Sequence, residues 1–146
     1  VLLSIFEEKM DELREGALAE LEGITDPFEG IQAFARYHFR QVREQRAVAE
    51  VLQVELRLSK KFISDYKPEK LFAYLGVFID LVRRGQAGGL VRADVDPFTT
   101  GWAFFGSLDE LGLLWVVGEK RERERNLDLD TAARQVAELF IRGIAA

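Results

Sequence analysis

Cysteine is absent from this chain of 146 residues, and histidine and methionine occur once each, as His38 and Met10. The first absence excludes disulfide frameworks, thiolate zinc sites, iron–sulfur clusters and cysteine nucleophiles. A single histidine excludes multi-histidine metal sites and leaves any triad only one base. The longest apolar stretch, Ala103 to Gly118, is broken by Asp109 and Glu110, so no segment reads as a membrane span. With 48% hydrophobic and 31% charged residues and a net charge of −5, the composition is that of one globular domain covering 1–146.

Strand-like alternation and Asn-Gly turns are also missing, and the apolar residues recur at steps of three and four, which predicts an all-α fold of six helices. Leu2, Leu3, Phe6, Met10, Leu13, Ala17 and Leu21 mark the first, which Gly23 stops. Its seven acids, Glu7, Glu8, Asp11, Glu12, Glu15, Glu20 and Glu22, against Lys9 and Arg14 account for the whole chain's excess negative charge. The pattern is already helical at Val1, with no capping residue in front, which is expected of a fragment.

The three prolines punctuate the rest, because proline suits the first helical turn, where its missing N–H would be unbonded anyway. Asp26-Pro27-Phe28-Glu29 reads as an N-cap, N1 proline and N3 acid opening a second helix, whose stripe is Ile31, Phe34, Ala35, His38, Phe39 and Val42. A third helix is expected over 47–65, with Val51, Leu52, Val54, Leu56, Leu58 and Phe62 spread so widely that it should be central. A fourth follows Pro68 and ends at Arg83-Arg84-Gly85. A fifth runs from Pro97 to about Glu119, and a sixth is capped by Asp128 or Asp130.

No catalytic constellation is legible. Asp109 and Glu110 are adjacent, hence about 100° apart on a helix, and cannot share a substrate. No glutamate lies three residues before His38, as a di-iron bundle would need, and Gly106-Ser107 lacks the flanks of a nucleophile elbow. The chain is therefore read as a non-enzyme without metal or cofactor. His38 on an apolar face reads first as a hydrogen-bonded core histidine, and second as a pocket residue. Between Arg36 and Lys61, seven cations (Arg36, Arg40, Arg43, Arg46, Arg57, Lys60, Lys61) face three acids, which marks a solvated face or the place for an anionic headgroup. In the fifth helix Gly101, Gly106, Gly112 and Gly118 interrupt large side chains at about 1 kcal/mol each, which predicts close approach of another backbone or a ligand.

The run Arg84-Gly85-Gln86-Ala87-Gly88-Gly89-Leu90-Val91-Arg92-Ala93-Asp94-Val95-Asp96, then Phe105-Gly106 and a last helix ending Leu139-Phe140-Ile141-Arg142-Gly143-Ile144, resembles the ligand-binding domain of tetracycline-repressor (TetR) family regulators. Ile5-Phe6-Glu7-Glu8-Lys9-Met10, Gln53-Val54-Glu55-Leu56-Arg57-Leu58-Ser59 and Phe105-Gly106-Ser107-Leu108-Asp109-Glu110 are similar to a branch that represses fatty-acid degradation and leaves DNA on binding long-chain acyl-CoA. The resemblance implies a cytoplasmic regulator whose DNA-binding helix-turn-helix unit lies N-terminal to the first helix and is not in this sequence.

It further implies a homodimer through the last two helices and an apolar tunnel among the earlier ones. Candidate lining residues, chosen from apolar faces, are Phe6, Met10, Phe34, Tyr37, His38, Leu52, Leu56, Leu75, Phe78, Phe104, Phe105 and Leu108. Arg36, Arg40, Arg57 and Lys60 would meet the CoA phosphates. Candidate interface residues are Trp102, Phe105, Gly112, Trp115, Val116, Val136, Phe140 and Gly143. Two other readings stay open at this point: a regulator of the same fold sensing another hydrophobic molecule, and a helical interaction module with no ligand, which the absence of a pocket of several hundred Å³ would favour.

Overall fold

A computed structural model describes residues 2–55, 69–118 and 127–146. They form α1 (Leu2–Leu21), α2 (Pro27–Glu44), α3 (Arg46–Glu50), α4 (Glu69–Ala87), α5 (Pro97–Gly118) and α6 (Leu129–Ile144), and a π-helical turn, Val51–Glu55, continues α3. The described residues contain no strand. One isolated bridge, Val91 to Ala145, joins the α4–α5 loop to the end of α6, with Arg92 N–H donating to Ile144 O at 2.8 Å.

The helix starts follow the side-chain chemistry. Asp26 accepts from the Phe28 N–H at 3.1 Å with Pro27 in the first turn. Asp128, not Asp130, caps α6 by accepting from the Thr131 N–H at 3.2 Å. Asp96 does the same for α5 through Thr99 at 3.0 Å. Hydrogen bonds from Thr131 and Thr99 hold both carboxyls below the ordinary aspartate range. Gly23, with φ +83°, ends α1 in a conformation that a β-carbon would disfavour.

The central helix is α2, which contacts each of the other five. The residues of its stripe, Ile31, Phe34, Ala35, His38, Phe39 and Val42, are all buried. The described part of the third helix is not central. Of residues 46–53 only Gln53 is buried, because this segment lies at the edge of the bundle, and beyond Glu50 its hydrogen-bond register widens to the π form. Residues 56–65 of the expected helix are outside the described residues. The core is aromatic where α2, α4 and α5 meet, with Phe78 and Phe104 stacked at 4.1 Å and Phe34 at 6.3 and 6.2 Å from them.

Candidate functional site

Five helices leave an apolar cavity of about 210 Å³ between them. Phe6, Met10 and Leu13 of α1 form one wall, and His38 and Val42 of α2 the opposite one. Ala49 of α3, Leu52 and Gln53 of the π turn, Leu71 of α4, and Phe105 and Asp109 of α5 complete it. A second pocket of about 60 Å³ shares Leu13, His38, Val42, Ala49 and Leu52 with the first, and carries Lys9, Gln41 and Gln45. His38 therefore sits where the two meet. A larger groove of about 520 Å³ between α1 and α4, past Leu18, Asp80 and Arg84, shares no residue with either and is bordered by charges.

Three polar groups interrupt the apolar wall. His38 Nδ1 lies 2.8 Å from the Tyr74 hydroxyl, and burial pushes the imidazole pKa down to about 4, so the ring is neutral at pH 7. Burial likewise raises the Tyr74 phenol, which stays protonated. Gln53 Nε2 donates to the Asp109 carbonyl at 3.2 Å and to its Oδ1 at 3.0 Å. Asp109 is thus turned inward while Glu110 is exposed, the divergence their adjacency predicts.

Of the candidate lining residues, Phe6, Met10, His38, Leu52 and Phe105 line the cavity. Phe34, Tyr37, Leu75, Phe78, Phe104 and Leu108 do not; they are buried against other core side chains. Leucine 56 lies outside the described residues, as do Arg57 and Lys60. Leu13, Val42, Ala49, Gln53, Leu71 and Asp109 were not anticipated. No described cavity-lining residue is a cation, and two arginines of α2 are engaged elsewhere: Arg40 pairs with Glu20 of α1 and lies 5.7 Å over the Tyr37 ring, and Arg43 pairs with Asp130 at 3.2 Å. Arg36 is exposed. The only described cation beside the cavity is Lys9, paired with Glu12 at 2.8 Å.

The glycines of α5 divide by face. A β-carbon at Gly101 would meet Ile79 at 2.7 Å and one at Gly112 would meet Gln53 at 3.3 Å, so both make close internal contacts. Gly112 and Val116 thus point into the bundle; Val136 is buried too, and Phe105 faces the cavity. Arg46 covers Trp115 at 4.8 Å, Trp102 packs on Phe72 at 5.6 Å, and Phe140 packs edge-on against Phe104 at 5.1 Å. Among the residues that α5 and α6 expose are Gly106, Leu114, Leu139 and Gly143, with Leu139 at 71%.

The described residues thus form a helical domain around an apolar cavity, with no group of metal-ligating side chains among them. The family model for the YsiA-like protein, C-terminal region, a TetR-type domain, matches residues 6–143, and the chain belongs to this family. It is 26% identical over 144 residues to the fatty acid metabolism regulator protein of Bacillus subtilis (strain 168), covering 99% of this chain and 72% of that protein. The fold superposes with a TM-score of 0.84 on the fatty acid degradation regulator FadR from Bacillus halodurans, at 27% identity, covering 98% of this chain and 74% of the other. The score is also 0.84 for FadR from Bacillus subtilis in complex with stearoyl-CoA, at 26% identity and with the same coverage.

Proposed function

We propose that this domain is the effector-binding and dimerisation part of a cytoplasmic TetR-type repressor that is released from DNA by long-chain acyl-CoA and so controls fatty-acid degradation. The observation that carries the reading is the apolar cavity that α1 closes with Phe6, Met10 and Leu13, in a chain whose Bacillus relative was solved with stearoyl-CoA. A ligand in this cavity presses on α1. Two recognition helices must stand about one DNA turn, roughly 34 Å, apart to read adjacent half-sites, and a tilt of α1 changes that spacing. The ligand shifts the equilibrium only by its differential affinity for the two positions of α1. Stearoyl-CoA should raise the midpoint of thermal unfolding and remain bound through purification, as native mass spectrometry would read. No shift and no retained ligand would overturn the reading.

A second reading, a shorter hydrophobic effector, is favoured by the volume: about 210 Å³ is less than the roughly 300–1,000 Å³ of most ligand pockets. Thermal shifts from short acyl-CoAs and lipophilic cations in parallel with stearoyl-CoA separate the two.

The dimer is proposed through the outward residues Gly106, Leu114, Leu139 and Gly143, where two exposed leucines flank two glycines whose β-carbons would meet nothing within 4 Å among the described residues of other elements. Light scattering should give a dimer at micromolar concentration, and Leu139→Arg should shift it toward monomer by roughly tenfold or more in Kd, since a charge at an interface centre is left unpaired. A wild-type monomer would remove this arrangement.

A further inference from the structure

Two buried polar atoms in the structure have no hydrogen-bond partner among the described residues: Nε2 of His38 and Oε1 of Gln53. Both belong to cavity-lining side chains, which are only 6% and 9% exposed. Buried donors and acceptors are almost always paired, so two orphans on one cavity point to a ligand that pairs them.

Their chemical character follows from what holds their other ends. Tyr74 is fully buried, and His38 Nδ1, at 2.8 Å, is the partner the structure gives its hydroxyl. The phenolic proton therefore goes to Nδ1, which leaves the ring proton on Nε2 as a donor aimed at the cavity. The Gln53 amide is fixed as well. Flipping it would set Oε1 against the carbonyl and carboxylate oxygens of Asp109, whereas the observed orientation donates to both and presents Oε1 as an acceptor.

We propose that His38 and Gln53 read the thioester end of an acyl-CoA, with His38 Nε2–H donating to the thioester carbonyl and Gln53 Oε1 accepting the N–H of the adjoining cysteamine amide. This rests on the acyl-CoA reading above. The position fits: His38 stands at the junction between the apolar cavity, which takes the acyl chain, and the smaller pocket carrying Lys9, Gln41 and Gln45, through which the polar pantetheine arm would leave. The charge fits too. A free fatty acid would bring its carboxylate to a cavity that has no cation among its described lining residues and already holds the Asp109 carboxylate, while a thioester is neutral.

The test compares stearoyl-CoA with S-octadecyl-CoA, in which a methylene replaces the thioester carbonyl. The wild-type protein should prefer the thioester roughly tenfold, the worth of one buried hydrogen bond. That preference should collapse to within about twofold in His38→Leu. Gln53→Met should weaken both ligands alike, because both carry the amide. Stearate should bind more weakly than either. Because His38 is the only histidine, its imidazole ¹⁵N signals are unambiguous. They should show a protonated Nε2 whose proton moves downfield with stearoyl-CoA and not with the thioether, a readout that survives if a variant fails to fold. Equal wild-type affinity for the two CoA ligands, or an unprotonated Nε2, overturns this assignment alone. Failure of the wild type to bind either CoA ligand overturns the acyl-CoA reading with it.

Discussion

Each pair of methylenes added to a short acyl-CoA should tighten binding roughly 15-fold, from about 0.8 kcal/mol per buried methylene, until the cavity is full. On the scale by which a cavity of about 150 Å³ admits one benzene, a cavity of about 210 Å³ admits about eight carbons. Between butanoyl- and octanoyl-CoA the gain should therefore be about 200-fold. Longer chains need a wall to move, and α1 has less to lose than α2. The α2 wall belongs to the central helix, whereas α1 buries fully only Met10 and Ala17 among its described apolar side chains. Its C-terminal half is held fast: Gly16 sits so close to Tyr37 that a β-carbon would overlap the phenol, and Glu20 pairs with Arg40. Pressure at Phe6 and Met10 should then swing the N-terminal half about that point. Titration from four to eighteen carbons should show a break in slope near eight, and amide hydrogen exchange over Phe6 to Leu13 should slow with octanoyl-CoA and quicken with stearoyl-CoA. A flat response to chain length would sink the fatty-acyl reading. Steps of 15-fold continuing to eighteen carbons with α1 unmoved would show that the chain has another route.

The helices were legible because their signals are local. Asp26-Pro27 carries its cap within three residues and the α2 stripe repeats at helical spacing, whereas Asp128 and Asp130 offer the last helix equal cap signals and only the structure puts Asp128 against the Thr131 N–H. The cavity was less so. Phe34 and Phe104 have the same apolar, helical signature as Phe6 and Phe105, and periodicity says which face is buried, not whether the neighbours across it leave a void. A void is a deficit of packing among five helices and has no residue of its own. The one available signal was polarity in the wrong place: His38 on an apolar stripe and Gln53 inside an apolar run both line the cavity. The glycines of α5 are ambiguous for a related reason. Four glycines in α5 predicted close approach, but Gly101 and Gly112 are filled by Ile79 and Gln53 of the same chain, which a sequence cannot distinguish from a second copy.

Acidification should destabilise this domain through its single histidine. Desolvation lowers the His38 pKa from 6.5 to about 4 in the folded protein. Between those values the unfolded chain holds a proton that the folded chain does not, so unfolding takes up a proton and stability falls as pH falls. The contribution is fully present above pH 6.5, is lost progressively down to about pH 4, and amounts to about 3 kcal/mol. That is a large part of the 5–15 kcal/mol typical of a domain. The groups about the ring do not relieve it: Tyr74 occupies Nδ1, Phe39 and Phe105 meet the ring edge-on at 5.9 and 6.0 Å, and the Asp109 carboxylate on the same cavity is engaged by Gln53. Carboxyls held low by hydrogen bonds, such as Asp96 and Asp128, also lose stability in acid, so the comparison must be with a variant that keeps them. His38→Gln retains a side chain able to bond Tyr74 and cannot take up a proton. Urea unfolding at pH 7, 5.5 and 4 should show the wild type losing about 3 kcal/mol more than His38→Gln over that range, whatever the offset between them at pH 7. Parallel profiles for the two proteins would mean that the folded imidazole titrates as freely as the unfolded one, and that it is not desolvated at the junction of the two pockets.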